Sequence, residues 1–247
     1  MISHKKKFIF VHIPKVAGTS VVGSSTIKTK LSEYAFKQPK KDYSINNLPF
    51  QPDDKNKFDP QPNHMRASDF VKYGYVTEIE FETYFKFAFV RNPWDRIVSE
   101  YKYRGHMNHY SFKEFLFKHM PNPSWSDQYC HIIPQYDFLY NGEGKLLVDF
   151  IGKFESLQED YDKICQMLDI PKHTMSHANK SSGLLQRDTS WRMITKNSLR
   201  YIRASLNGQR KANTFSKYTE YYDSESREFI AKLYKNDIET FDYKFGK

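Results

Sequence analysis

An ammonium, a glycine and two hydroxyls fall together in the stretch His12-Ile-Pro-Lys-Val-Ala-Gly-Thr-Ser20. Lys15 brings a point charge, Gly18 lets backbone approach closely, and Thr19 and Ser20 bring hydroxyl donors. With the backbone N–H groups of Lys15, Val16, Ala17, Gly18, Thr19 and Ser20, these make a cradle for a phosphate. A second constellation, Arg91-Asn-Pro-Trp-Asp-Arg-Ile-Val-Ser99, offers a guanidinium at its start and a hydroxyl at its end. The planar fork of Arg91 matches a phosphate, and Ser99 adds a contact. His64 is a residue type that accepts a proton near pH 7. Each feature has a plainer alternative on these residues alone. The loop is then an ordinary strand-to-helix turn with a surface lysine. Arg91 is paired with a nearby acid, Ser99 lies on the surface, and His64 is structural or exposed.

The elements that would carry these groups are legible on either side. Phe8 to Ile13 is an apolar, aromatic and β-branched run that reads as a buried parallel strand. A first helix is expected from Val21 to Leu31. Phe85 to Val90 reads as a second buried strand, ending where open α/β sheets bind ligands. Asn92 is a good N-cap, Pro93 fits the first helical position and Asp95 suits the first turn. Trp94, Ile97, Val98 and Tyr101 then make one buried stripe, with Ser99 about 140° away from Trp94. Arg66 to Tyr73 fits a short helix ended by Gly74, and Ser111 to His119 fits another. Leu146 to Phe154 is a third strand candidate. Ser156-Leu-Gln-Glu159 has the spacing of a capping box, and Leu157, Tyr161, Ile164 and Leu168 form the stripe of the helix it would open. Asp223 to Phe241 reads as a packing helix, with Phe229, Ile230, Leu233, Ile238 and Phe241 inward. Trp125, Tyr129, His131, Tyr136 and Tyr140 crowd one region. Such aromatics suit sugar rings, but packing is the simpler reading for each.

The composition narrows the classes. The chain has 247 residues, enough for one sizeable α/β domain, and 17% of them are aromatic, so disorder is excluded. A formal net charge of +9 calls for an anionic partner. The basic residues are spread along the chain rather than gathered in an arm, which argues against nucleic acid. Cys130 and Cys165 sit far apart in unlike contexts, so neither a disulfide framework nor a zinc site is indicated. No apolar run approaches the ~20 residues needed to span a bilayer. Phe8 to Val11 after Lys5 to Lys7 is too short for a signal peptide. A single domain over residues 1–247 is expected, with loop insertions at about 32–62, 104–145 and 183–217. The first of these would lie over the site as a flap.

Two strand-turn-helix anion sites in one chain are far more specific than either alone. His12 to Ser20 resembles the 5′-phosphosulfate loop of the carbohydrate sulfotransferases, in the branch of the heparan sulfate 2-O- and chondroitin sulfotransferases and their bacterial relatives. Phe87 to Tyr101 resembles that family's 3′-phosphate motif, and Phe150 to Asp160, Asn179 to Ser181 and Tyr218 to Tyr222 resemble its later signatures. The resemblance implies a P-loop-like three-layer α/β domain with a central parallel sheet flanked by helices. It also implies the donor 3′-phosphoadenosine 5′-phosphosulfate (PAPS) without a metal. By position, Lys15, Val16, Ala17, Gly18, Thr19 and Ser20 would hold the 5′ end of the donor, and Arg91 and Ser99 its 3′-phosphate. His64, ahead of Asp69-Phe70, matches the base of the 2-O branch. Where that branch often has a second histidine, this chain has Pro62. The implied reaction is in-line sulfuryl transfer to a hydroxyl, with a glycan the expected acceptor, His64 the base and Lys15 stabilising developing charge. Golgi members carry a membrane anchor, so a cytosolic, bacterial enzyme is expected here.

Two rivals belong to other classes. A sugar or nucleoside kinase with a variant loop would need magnesium and ATP. The lysine here precedes the glycine, however, and no Gly-Lys-Ser/Thr follows, which argues against a nucleoside-triphosphate loop. A non-catalytic polyanion-binding module would tolerate loss of His64 and would ignore the 3′-phosphate.

Overall fold

The computed structural model describes residues 1–22, 64–123, 127–172, 174 and 215–247. The expected flap at 32–62, all but the last three residues of the basic segment 183–217, Asn179 to Ser181, Trp125 and most of the helix from Val21 to Leu31 lie outside the described residues.

Four strands form one sheet in the order β1 (Ile2–Ser3), β2 (Phe8–Val11), β3 (Phe85–Val90) and β4 (Phe150–Lys153). Strands β2, β3 and β4 are parallel, and β1 adds an antiparallel edge. The expected central parallel sheet of an α/β domain is present, and the antiparallel edge makes the sheet as a whole mixed. Strand β1 is only two residues long, too short to leave a periodic signal. The pairing Phe10↔Phe87↔Phe150 stacks aromatic residues across the sheet. Every residue of β2 and the last five of β3 are buried, which is why both read as largely apolar runs, broken in β3 only by Lys86, whose ammonium pairs with Asp149.

Val11 pairs with Ala88, and Val90 pairs with Lys153. The carboxyl ends of the three parallel strands are therefore neighbours. Helix α1 (Gly18–Val22) follows β2. Two short helices, α2 (Asp69–Lys72) and α3 (Glu78–Thr83), precede β3. Helix α4 (Pro93–Tyr103) leaves β3 through the Asn92 cap, whose side chain accepts from the Trp94 amide. Helix α5 (Leu157–Met167) leaves β4. It packs so closely that a Cβ on Gly152 would lie 2.5 Å from the Phe89 ring and 3.1 Å from Asp160 Cβ.

The helix expected over Arg66 to Tyr73 shortens to Asp69–Lys72, the one expected over Ser111 to His119 is α-helical only over Phe112–Glu114 and π-helical over Phe115–His119, and other local expectations shift as well. Helix α1 starts at Gly18, not Val21. The third strand shortens to Phe150–Lys153. The Ser156 capping box does not form, because Ser156 Oγ donates to Asp160 at 2.7 Å and Asp160 also accepts from the Lys153 amide at 2.9 Å. The final segment splits at Tyr234 into α6 (Ser224–Leu233) and α7 (Lys235–Thr240). Tyr234 is buried and donates to the Ile132 carbonyl at 2.6 Å, while Leu233, expected inward, is 41% exposed.

Candidate active site

At the end of β2 the chain folds into a strained loop. Lys15 has φ +68° and Ala17 φ +67°, both in the left-handed region that non-glycine residues avoid. Such conformations cost about 1–3 kcal/mol each and persist only where the surroundings hold them. Alternation of backbone hand turns successive N–H groups toward a common concavity, which is an anion nest. The loop carbonyls are taken up by side chains. His64 Nδ1 meets the His12 carbonyl at 3.1 Å, Arg96 Nε donates to Pro14 at 3.0 Å, and Arg91 Nη1 donates to Lys15 at 3.1 Å. Gly18 is required by space, because a Cβ there would lie 1.6 Å from His12 Nε2.

Lys15 Nζ sits 3.6 Å above the centre of the Tyr103 ring, at the end of α4. Burial pulls its pKa down to about 8. Glu100 pushes it up, while Arg91, Arg104 and Arg96 push it down. Three guanidinium groups and an ammonium thus act on one region, against the carboxylates of Glu100 and Asp95, a net positive environment that favours an anion.

Arg91 leaves the end of β3 and is held on three sides. Its Nε and Nη2 donate to Asp95 Oδ2 at 2.8 and 2.7 Å, and Phe154 covers the guanidinium face at 4.1 Å. Gln135 clips its backbone, accepting from the amide at 2.9 Å and donating to the carbonyl at 2.8 Å. Gln135 is in turn fixed by Asp237, which accepts its amide at 2.9 Å. The pairing of Arg91 with an acid, one alternative reading of the sequence, is therefore real. It also leaves two of the five guanidinium N–H groups unspent among the described residues. Ser99 is half-buried on α4 and Ser20 is buried on α1. The side chain of Thr19 lies outside the described set.

His64 is brought to the same place from the far side of the loop. Its ring lies 4.5 Å from the His12 ring and 5.3 Å, edge on, from the His131 ring. His131 Nδ1 is 2.8 Å from Glu100 Oε2, and Arg104 Nε donates to the other oxygen at 2.8 Å. These contacts hold the Glu100 carboxyl below its usual value against the opposing effect of burial. Because a carbonyl only accepts, Nδ1 of His64 carries the hydrogen in the neutral ring, and Nε2 carries the lone pair.

The structure thus ties His64, Arg96 and Arg91 to the loop that carries Lys15, through the carbonyls of His12, Pro14 and Lys15. Sequence reading gave no role to His12, Glu100 and Arg96, and took His131 for a packing residue. A trace of them was present, since Arg96, Glu100 and Arg104 recur at four-residue spacing along α4. Charges at that spacing ordinarily mark a solvated face. Here they form a second buried face, with Arg96 at 0% and Glu100 at 2% exposure. Among the described residues, no group of three or more His, Cys, Asp or Glu side chains is placed to hold a metal ion. No helix of the described residues is long and apolar enough to cross a membrane.

A model of the sulfotransferase family matches residues 1–244 of the chain. An uncharacterized protein of Archaeoglobus fulgidus is 36% identical over 96 residues, covering 37% of this chain and 73% of its own. No solved structure matches the chain.

Proposed function

We propose, from the fact that this chain belongs to the sulfotransferase family, that it moves a sulfuryl group from PAPS to a hydroxyl of a carbohydrate acceptor. The observation that carries this reading is the attachment of Arg91 and His64 to carbonyls of the loop of residues 12–18, which itself carries Lys15. The nest and Lys15 take the 5′-phosphosulfate. The two unspent N–H groups of Arg91 take the 3′-phosphate as a fork. Ser99 and Ser20 add hydroxyl contacts.

In the transfer, the acceptor oxygen attacks sulfur opposite the bridging oxygen. An O–S bond forms as the S–O bond to the 5′-phosphate breaks. The hydroxyl proton passes to His64 Nε2, whose lone pair is directed by the Nδ1 bond to His12. Charge that builds on the bridging oxygen is met by Lys15 and the loop amides, which are already oriented before reaction.

Calorimetric titration with adenosine 3′,5′-bisphosphate, with 5′-AMP and ATP-Mg as controls, tests the donor site. Wild type is expected to prefer the bisphosphate over 5′-AMP by about a hundredfold, which corresponds to one charge-assisted phosphate contact of about 2.7 kcal/mol. Arg91→Ala should remove most of that preference. ATP-Mg binding equal to or better than the bisphosphate would sink the reading and favour the kinase.

The same titration carries a pH signature. Lys15 gives up its proton as pH rises through about 8, and a bound anion raises that value. Binding then takes up a proton between the free and bound values. Affinity is expected to be nearly level between pH 7 and 8, where the phosphates are mostly in their doubly charged form, and to fall above pH 8 by up to about tenfold per unit. Lys15→Met should bind more weakly and lose this alkaline limb. A limb that persists unchanged in Lys15→Met would assign it to another group.

A further inference from the structure

We propose that Arg91 positions the 5′ end of the donor as well as receiving its 3′-phosphate, and that Asp95 holds it in this double role. The proposal rests on the reading of the loop as the place of the 5′-phosphosulfate. The tie between the two ends is the 3.1 Å bond from Arg91 Nη1 to the Lys15 carbonyl. A peptide unit is planar, so the carbonyl of Lys15 and the amide of Val16 point in opposite directions and turn together. Fixing that carbonyl fixes the direction of the Val16 N–H. It also restrains Lys15 at φ +68°, a conformation that reverts unless something holds it.

The guanidinium is suited to this because it has little freedom of its own. Asp95 Oδ2 receives two of its donors, and Phe154 stacks on its face. Asp95 is placed one turn into α4 by the Asn92 cap and Pro93, so its bond to Arg91 also ties the end of β3 to that helix. Asp95 belongs to the site through Arg91 alone, as a positioning residue. Three of the five N–H groups of Arg91 organise protein, and two remain for phosphate. A ligand that lacks the 3′-phosphate should therefore still depend on Arg91.

The probe is adenosine 5′-phosphosulfate, which carries the complete 5′ end and no 3′-phosphate. Calorimetric titrations compare wild type, Arg91→Lys and Asp95→Ala, with thermal unfolding midpoints measured alongside. Lysine keeps the positive charge, so general attraction is preserved while the fork and its reach to the Lys15 carbonyl are lost. Affinity for the probe is expected to fall about tenfold in Arg91→Lys and at least about threefold in Asp95→Ala, at unfolding midpoints close to wild type. If Arg91→Lys fails to fold, Asp95→Ala decides. Probe affinity within twofold of wild type in the deciding variant overturns the proposal, and so does a wild type that does not bind the probe. Failure of the donor reading looks different. The wild type would then bind the 3′,5′-bisphosphate no better than the probe, whatever Arg91→Lys does to the probe.

Discussion

His64→Ala is expected to lower kcat for sulfuryl transfer by about 10² to 10⁴, with the affinity for adenosine 3′,5′-bisphosphate unchanged. At about 1.36 kcal/mol per factor of ten, this is roughly 3–5 kcal/mol of lost transition-state stabilisation. The split between rate and affinity follows from geometry. His64 meets the donor loop through its bond to the His12 carbonyl and through its ring contact with His12, so its removal leaves Lys15, Arg91 and the loop amides in place and costs the reaction its proton acceptor. His12 is the informative comparison. Its imidazole contacts both Gly18 and His64, so His12→Ala is expected to weaken donor binding as well as rate. Transfer of labelled sulfate from PAPS to a panel of unsulfated polysaccharides gives the rates. A His64→Ala enzyme with kcat within threefold of wild type would end the assignment. If His12→Ala alone abolished transfer while donor affinity stayed intact, the base would be His12.

The parts of this arrangement that local chemistry dictates were open to reading in the sequence. Asn92 and Pro93 announce the start of α4, and the apolar runs before Lys15 and Arg91 announce β2 and β3. Those two strands place the lysine and the arginine side by side, because parallel strands in register end together. The parts that depend on distant partners were closed to it. Arg96 and Glu100 carry charge, and a helical period shows which residues share a face without showing what covers that face. The covering comes from His131 and Ile133, more than thirty residues further along the chain, in a turn that Tyr234 holds through the Ile132 carbonyl. The clip of Gln135 on Arg91, and of Asp237 on Gln135, has no local signature either. Burial pushes the Asp237 carboxyl up, and the amide of Tyr136, the charge of Arg96 and the amide of Gln135 draw it back. His131 sat in a crowd of aromatics for which packing was the fair reading. It does pack, against Tyr103, but its Nδ1 meets Glu100 and its ring meets His64.

Arg96 is where this hidden polar face should fail most visibly. Its guanidinium is wholly buried and makes three bonds to carbonyls, to Pro14 at 3.0 Å and to His131 and Ile133 at 2.9 Å each. It thereby pins the donor loop to the turn that carries His131. Arg96→Met keeps much of the side-chain volume and removes every donor. Each carbonyl left dry costs about 1–3 kcal/mol, and partial entry of water offsets some of this. A loss of about 4 kcal/mol is expected, which at roughly 2–4 °C per kcal/mol lowers the unfolding midpoint by on the order of 10 °C. Arg96→Lys should fall between the two, since an ammonium retains the charge but lacks the fork that reaches three separated carbonyls. Function should follow in a defined order. Freeing the Pro14 carbonyl loosens the residues just before Lys15, so donor affinity at temperatures well below unfolding should drop before the fold does. Thermal unfolding followed by circular dichroism, with titration of adenosine 3′,5′-bisphosphate at low temperature, reads both effects. An Arg96→Met midpoint within about 2 °C of wild type would mean that water or other side chains can replace all three bonds. The buried arginine would then be a tolerated guest on α4 and not the pin between the donor loop and the histidine turn.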